Sequence, residues 1–188
     1  MRKLVVGEFV TVDGVMEGPG PGDDFEHAGW TMPYFTDEIG QILGGNMAES
    51  DAMLLGRKTY QVFAASFSAQ TGGMADFLNN VPKYVVSKTL KTADWNNSTL
   101  IKGDIAEAIT KLKQLPGKDI FINGSCTLIQ TLRKHNLIDE YSLLVYPVAL
   151  GMGKRLFGEG SKECLKLIQS KALSSGVVHL TYRTERQS

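Results

Sequence analysis

Three short apolar runs in this sequence end alike, in a small or polar residue followed by a turn: Leu55-Gly56-Arg57-Lys58-Thr59, Val86-Ser87-Lys88-Thr89 and Ile122-Asn123-Gly124-Ser125. If each run is a strand of one parallel sheet, all three ends lie on one edge. There glycine permits close backbone approach, and helix N-termini offer unpaired N–H groups to an anion. The chemistry open to such a rim is capture of a phosphate-rich ligand, and Arg57 and Lys58 suit one carrying an extra phosphate. Each corner alone is also an ordinary strand-to-helix turn, so the repetition carries the reading. Cations at a helix start oppose the helix dipole, a local conflict of the kind that marks function.

Other chemistries lack their residues. No G-x-S-x-G, G-x-x-x-x-G-K-[ST] or G-x-G-x-x-G occurs, so any nucleotide site must be built another way. His27, His135 and His179 sit in unrelated segments, and Cys126 and Cys164 have no C-x-x-C partner. No metal site is expected, and the cysteines read as small packed thiols. Twenty Lys plus Arg balance twenty Asp plus Glu, which leaves no net field to draw nucleic acid or an anionic membrane. The longest mainly apolar stretch, 143–150, falls short of the ~20 residues a membrane helix needs. Arg2 and Lys3 precede too short an apolar run for a secretion signal, so a cytoplasmic chain is expected.

The elements that must position the three corners follow from periodicity. A length of 188 residues, with 43% hydrophobic and 21% charged, suits one domain over 1–188 with a sizeable core. Residues 3–12 form an opening strand that Asp13-Gly14 breaks, and the glycines and prolines of 17–24 make a surface loop. From Pro33 onward, Phe35, Ile39, Ile42, Leu43 and Met47 recur at helical spacing, with Gly44-Gly45 weakening the end. Strands are expected at 52–55, 83–87, 99–101, 119–123 and 140–148. Helices are expected after Gly56, over 105–115 with Asp104 as N-cap, and after Gly124-Ser125. A glycine-marked loop spans 151–160, and 163–185 gives two strands turned at Ser174-Ser175-Gly176. This alternation predicts an α/β fold, a mostly parallel sheet with helices on both faces and an antiparallel C-terminal hairpin.

The runs LLGRKTY (54–60), YVVSKTL (84–90), IFINGS (120–125) and IDEYSLLVYPVALGMGKRLF (138–157) together resemble the dihydrofolate reductase superfamily. The closer resemblance is to the C-terminal reductase domain of riboflavin-biosynthesis deaminase-reductases, and it extends over nearly the whole chain. It implies a dihydrofolate reductase-like fold, NADPH as cofactor, reduction of a small heterocyclic substrate and a homodimer, with the apolar strand 143–148 a candidate contributor to the interface. By resemblance Gly56, Arg57, Lys58 and Thr59 bind NADPH, Arg57 at the 2′-phosphate and Thr59 at the pyrophosphate. Ser87 and Lys88 lie along the adenosine, and Asn123, Gly124 and Ser125 occupy the pyrophosphate corner. Ser125 stands where the family has a second glycine, with its N–H and hydroxyl still available to offer. Asn123 stands where riboflavin-pathway reductases carry an acidic residue that contacts substrate, which counts against a pyrimidine. No H-x-E or P-C-x-x-C of a deaminase is present.

The substrate end rests on fewer residues. Thr11-Val12-Asp13-Gly14 matches the family's S-x-D-G near the nicotinamide, so Asp13 either joins the catalytic site or merely closes an Asp-Gly turn. Dihydrofolate reductases use a carboxylate on the first helix, for which Asp37 and Glu38 are candidates, Glu38 being the one assigned here. Gly151-Met152-Gly153-Lys154-Arg155 is either a substrate-phosphate loop or a tight turn. Trp30 and Tyr34 either roof an aromatic substrate or pack in the core. The reductase has two rivals: a nucleotide-binding module of the same fold without the chemistry, and a dimeric protein without nucleotide affinity.

Overall fold

Alternation along the strands decides which side of the sheet each helix covers. The computed structural model describes residues 1–21, 24–158 and 162–185. Its strands are β1 (Leu4–Thr11), β2 (Ser50–Gly56), β3 (Lys83–Val86), β4 (Ser98–Ile101), β5 (Asp119–Ile122), β6 (Glu140–Tyr146), β7 (Leu165–Ala172) and β8 (Val178–Thr184). Its helices are α1 (Asp37–Ala48), α2 (Arg57–Phe67), α3 (Gly73–Asn80), α4 (Ile105–Gln114) and α5 (Cys126–Lys134). The strands form one eight-stranded sheet in the order β4-β3-β2-β5-β1-β6-β8-β7. Every pairing from β4 through β6 is parallel, whereas β8 runs antiparallel to both β6 and β7.

Leu4, Val6 and Val10 of β1, Ala52 and Leu54 of β2, and Ile120 and Ile122 of β5 pack against Ile109 and Leu112 of α4 and Leu128, Ile129 and Leu132 of α5. The alternate residues Met53, Leu55 and Phe121 turn to the opposite face, against Tyr60 of α2 and Leu78 of α3. Ile39 and Leu43 of α1 join Leu144, Tyr146 and Trp30 there, with Phe9 packed against them. This is the α/β architecture the sequence predicts, with helices on both faces and the terminal hairpin at one edge.

Three local expectations are corrected. Pro33 opens a three-residue 3₁₀ turn, Met32–Tyr34, not the long helix; Phe35 and Thr36 are extended and α1 begins at Asp37, where Asp37 and Glu38 suit its positive end. Gly44 and Gly45 do not weaken the end, because buried Ile39 and Leu43 anchor α1 and it continues to Ala48. Helix α3 has no counterpart in the periodicity reading: it is eight residues long, buries only Ala75 and Leu78, and starts at Gly73 after Gly72, the two at φ 48° and 90°. Strand β6 lies inside the sheet between β1 and β8, with Leu143 and Leu144 only 4% and 3% exposed. Leu143, Leu144 and Tyr146 thus fill the chain's own core. Positions 22 and 23 of the 17–24 loop and 159 and 160 of the 151–160 loop lie outside the described residues. Among the described residues no helix is long and apolar enough to cross a membrane.

Candidate functional site at the carboxyl edge of the sheet

The strands β1 and β5 are neighbours, but their ladder ends at Val6 and Ile122, whereas β1 stays paired with β6 as far as Thr11 and Tyr146. Beyond that point the side-chain Nδ2 of Asn123 spans the gap, donating to the Gly7 carbonyl at 2.7 Å. The helix after β5 packs on one face of the sheet, the helix after β1 on the other. A crevice between strands whose following helices leave on opposite faces is where open α/β sheets take their ligands.

The corner after β5 borders this crevice, and the corner after β2, the next strand beyond β5, is clipped to it. Gly124 and Ser125 both have left-handed backbone, at φ 77° and 73°, and Ser125 stands at the start of α5. Its Oγ accepts the Gly56 N–H at 2.7 Å and donates to Thr59 Oγ1 at 2.9 Å. A Cβ on Gly124 would lie 2.9 Å from Thr59 Cγ2, and one on Gly56 3.0 Å from Ser125 Oγ. The room left by both glycines is therefore filled by the opposite corner. The Ser125 hydroxyl, expected to be on offer to a pyrophosphate, is engaged within the protein.

What the rim leaves open is backbone. Among the described residues neither α2 nor α5 has a side-chain N-cap bond, so first-turn N–H groups of the helices that follow two neighbouring strands face the edge, an arrangement suited to anions. Arg57 and Lys58 are exposed on the first turn of α2, with Arg57 Nη1 donating to Gln61 Oε1 at 3.1 Å. Next along the rim, the buried Ser87 hydroxyl accepts from the N–H groups of Thr89 and Leu90 at 3.2 and 3.0 Å, shaping a turn with Lys88 exposed at its tip. The cradle thus fits a polyanion by its backbone amides and cations. Ser87 and Asn123 shape it, their side chains committed to the protein's own backbone.

The two carboxylates assigned to catalysis are both committed to loops. Asp13 accepts from Thr11 Oγ1 at 2.5 Å, from the Gly151 N–H at 2.8 Å and from the Leu150 N–H at 3.3 Å. The Thr11 bond and these amides hold its carboxyl below the usual range, which suits the turn and not a proton donor. Glu38 accepts from Ser174 Oγ at 2.5 Å and its N–H at 2.9 Å, tying α1 to the turn between β7 and β8. Those Ser174 bonds lower its pKa also. Asp37 is exposed on the first turn of α1. In the 151–155 loop, Lys154 pairs with Glu17 and its N–H donates to Glu17 Oε2 at 3.0 Å, tying the loop to the segment after β1. Burial works against the Glu17 charge, but the Lys154 hydrogen bonds, aided by the charges of Lys154 and Lys58, outweigh it and lower the pKa.

Trp30, Tyr34 and Phe9 each meet Tyr146 edge to face, at 5.2, 5.9 and 5.8 Å between ring centroids. Trp30 and Tyr34 are thereby placed as packing. The fully buried Tyr146 hydroxyl has no hydrogen-bond partner among the described residues, and burial pushes its pKa up to about 12. One residue escaped sequence reasoning. Glu8, in the middle of β1 and 4% exposed, accepts the Gly124 N–H on Oε1 at 2.5 Å. Burial raises its pKa well above the carboxylate range, against the lowering by that bond. The signal was present: period-two alternation sets Glu8 on the inward face with Val6 and Val10.

Comparison with known proteins adds the following. The family profile of the RibD C-terminal domain matches residues 2–179. YyaP, an uncharacterized protein of Bacillus subtilis strain 168, is 33% identical over 187 residues, covering 96% of this chain and 94% of YyaP. A putative riboflavin biosynthesis protein from Shewanella sp. PV-4 superposes with a TM-score of 0.69 at 22% identity, covering 98% of this chain and 99% of that one. A pyrimidine reductase-like protein from Corynebacterium diphtheriae gives a TM-score of 0.66 at 13% identity, with 99% and 93% covered.

Proposed function

Since the chain belongs to the RibD C-terminal domain family, we propose that it is an NADPH-dependent reductase of a small heterocyclic substrate, similar to the 5-amino-6-(5-phosphoribosylamino)uracil reductase of riboflavin biosynthesis. The observation that carries this reading is the crevice between β1 and β5, bordered by the α5 start, with the α2 start and exposed Arg57 and Lys58 next along the rim and neither helix start side-chain capped. The α2 and α5 amides would hold the pyrophosphate, Arg57 and Lys58 the 2′-phosphate, and Lys88 the adenosine side. Bound there, NADPH would supply a hydride, and the protein's part is to orient it and exclude water.

The acceptor side carries no such mark: Trp30, Tyr34 and Phe9 pack on Tyr146, whose hydroxyl is buried and has no hydrogen-bond partner among the described residues. An unmet buried hydroxyl costs about 1–3 kcal/mol, and with no exposure Tyr146 belongs to the core and not to a substrate surface. With Asp13 and Glu38 both engaged in loops, the proton is assigned to solvent. The same engagement favours the second reading, a non-catalytic nucleotide-binding module. NADPH binding without consumption across pyrimidine, pteridine and small carbonyl acceptors would select that module. With the reductase reading go residues 1–188 as one domain, a cytoplasmic setting, a homodimer, and neither nucleic acid nor membrane as partner.

Arg57→Ala tests the cofactor assignment. A charge-assisted bond of about 1.5–3 kcal/mol predicts a loss of NADPH affinity of roughly 10- to 100-fold. NADH, which lacks the 2′-phosphate, should weaken far less in the same calorimetric titration. Equal weakening of both removes Arg57 from the 2′-phosphate.

A further inference from the structure

Glu8 is a buried carboxyl placed directly behind the corner that opens α5. Its neighbours on the same face of β1, Val6 and Val10, are core residues, and its Oε1 takes the Gly124 N–H at 2.5 Å. That bond fixes Gly124 in the left-handed conformation from which α5 departs, two residues before the first amide open to an anion. Glu8 also acts on that first residue: burial raises the Cys126 thiol pKa, and the Glu8 charge is the next largest contributor. The other charged groups acting there are Lys154 and Glu17, themselves an ion pair. None of the residues named at this corner supplies Glu8 with a cation of its own.

A negative charge held in low dielectric a few ångströms behind a helix N-terminus cancels the field that makes the terminus attractive to phosphate. A neutral carboxylic acid at the same place keeps the hydrogen bond and leaves the field intact. We propose that Glu8 is the proton-linked positioning residue of this corner: as a neutral acid it holds the Gly124 amide and admits a phosphate at the start of α5, and as a carboxylate it disfavours that phosphate. The proposal rests on the reading of the rim as a dinucleotide site and adds to it a regulation by pH. Dinucleotide binding then carries a proton into the protein whenever Glu8 is ionised beforehand.

The test pairs wild type with Glu8→Gln, which keeps an acceptor for Gly124 and cannot ionise. NADPH affinity is measured by calorimetry across neutral and alkaline pH, in buffers of differing ionisation enthalpy so that proton uptake is read directly. Above the Glu8 pKa, wild-type affinity relative to Glu8→Gln should fall by up to about tenfold per pH unit, with proton uptake that the variant lacks. Superimposable pH profiles with NADPH binding intact overturn the role of Glu8 while sparing the rim. No NADPH binding by either protein at any pH overturns the rim and the proposal together. A second readout needs no ligand. Because folding raises the Glu8 pKa, the folded state retains the proton longer than the unfolded chain, and wild type should lose stability relative to Glu8→Gln as pH rises above the unfolded carboxylate range. A constant gap between their melting temperatures across pH shows that Glu8 ionises freely and overturns the proposal alone.

Discussion

Helices α4 and α5 begin on the same edge of the sheet and are closed in opposite ways. At α4 the cap is local: Asp104 stands at the N-cap and its Oδ1 accepts the Glu107 N–H at 3.0 Å. At α5 the residue in the same place, Ser125, turns its hydroxyl away from its own helix, onto Gly56 and Thr59 of the neighbouring corner. A capped start has its amide satisfied and contributes stability only. A start whose cap residue is lent to the next corner keeps its amides available and ties together the two termini that the proposed reading gives to the pyrophosphate. Under the proposed function, the contrast separates a helix start built for folding from a pair built for a ligand.

The hardest blow to the clipped pair is Gly124→Ala. The new Cβ meets Thr59 Cγ2 at 2.9 Å and the residue must hold φ at 77°. Relief by rotating Thr59 breaks its bond to Ser125, so the clip and the backbone cannot both be kept. A loss of about 2–3 kcal/mol in urea unfolding is expected, and NADPH binding should weaken with it. A loss within experimental error would mean that the two corners move independently.

Ser125→Ala sharpens the comparison with less damage. The left-handed strain stays, the clip goes, and the Gly56 N–H loses its acceptor, at a cost of about 1–2 kcal/mol. Ser125→Gly loses the same hydroxyl but relieves a left-handed penalty of roughly 1 kcal/mol, so it should be the more stable of the two. If alanine is the more stable, Ser125 is not strained and the account of the corner fails.

The same contrast explains what was legible in the sequence. The Asp104 cap, the apolar strands and the terminal hairpin all depend on residues a few positions apart, and each appears close to where periodicity places it. The clip depends on contacts 66 and 69 residues apart in sequence, and a lone serine carries no mark of them. Resemblance sets Ser125 at the turn after β5 but does not say that its hydroxyl faces the neighbouring corner. The loop partners of Asp13 and Glu38, at 150–151 and 174, are distant in sequence and likewise invisible to local patterning. Glu8 was open to alternation, yet one acidic residue in an apolar strand passes unnoticed until a buried partner is seen.

The smallest effect decides whether the comparison holds at all. Asp104→Ala removes one local hydrogen bond at an exposed helix start and should lower stability by about 1 kcal/mol. The bond belongs to α4 alone and reaches neither corner of the crevice, so NADPH affinity should stay within about twofold of wild type. Should Asp104→Ala weaken NADPH as far as Ser125→Ala does, local and lent caps would be coupled through the sheet, and the division between folding starts and ligand starts would dissolve. If stability falls alone, the open amides of α2 and α5 are set apart from the third helix on the same edge by the direction in which one hydroxyl points.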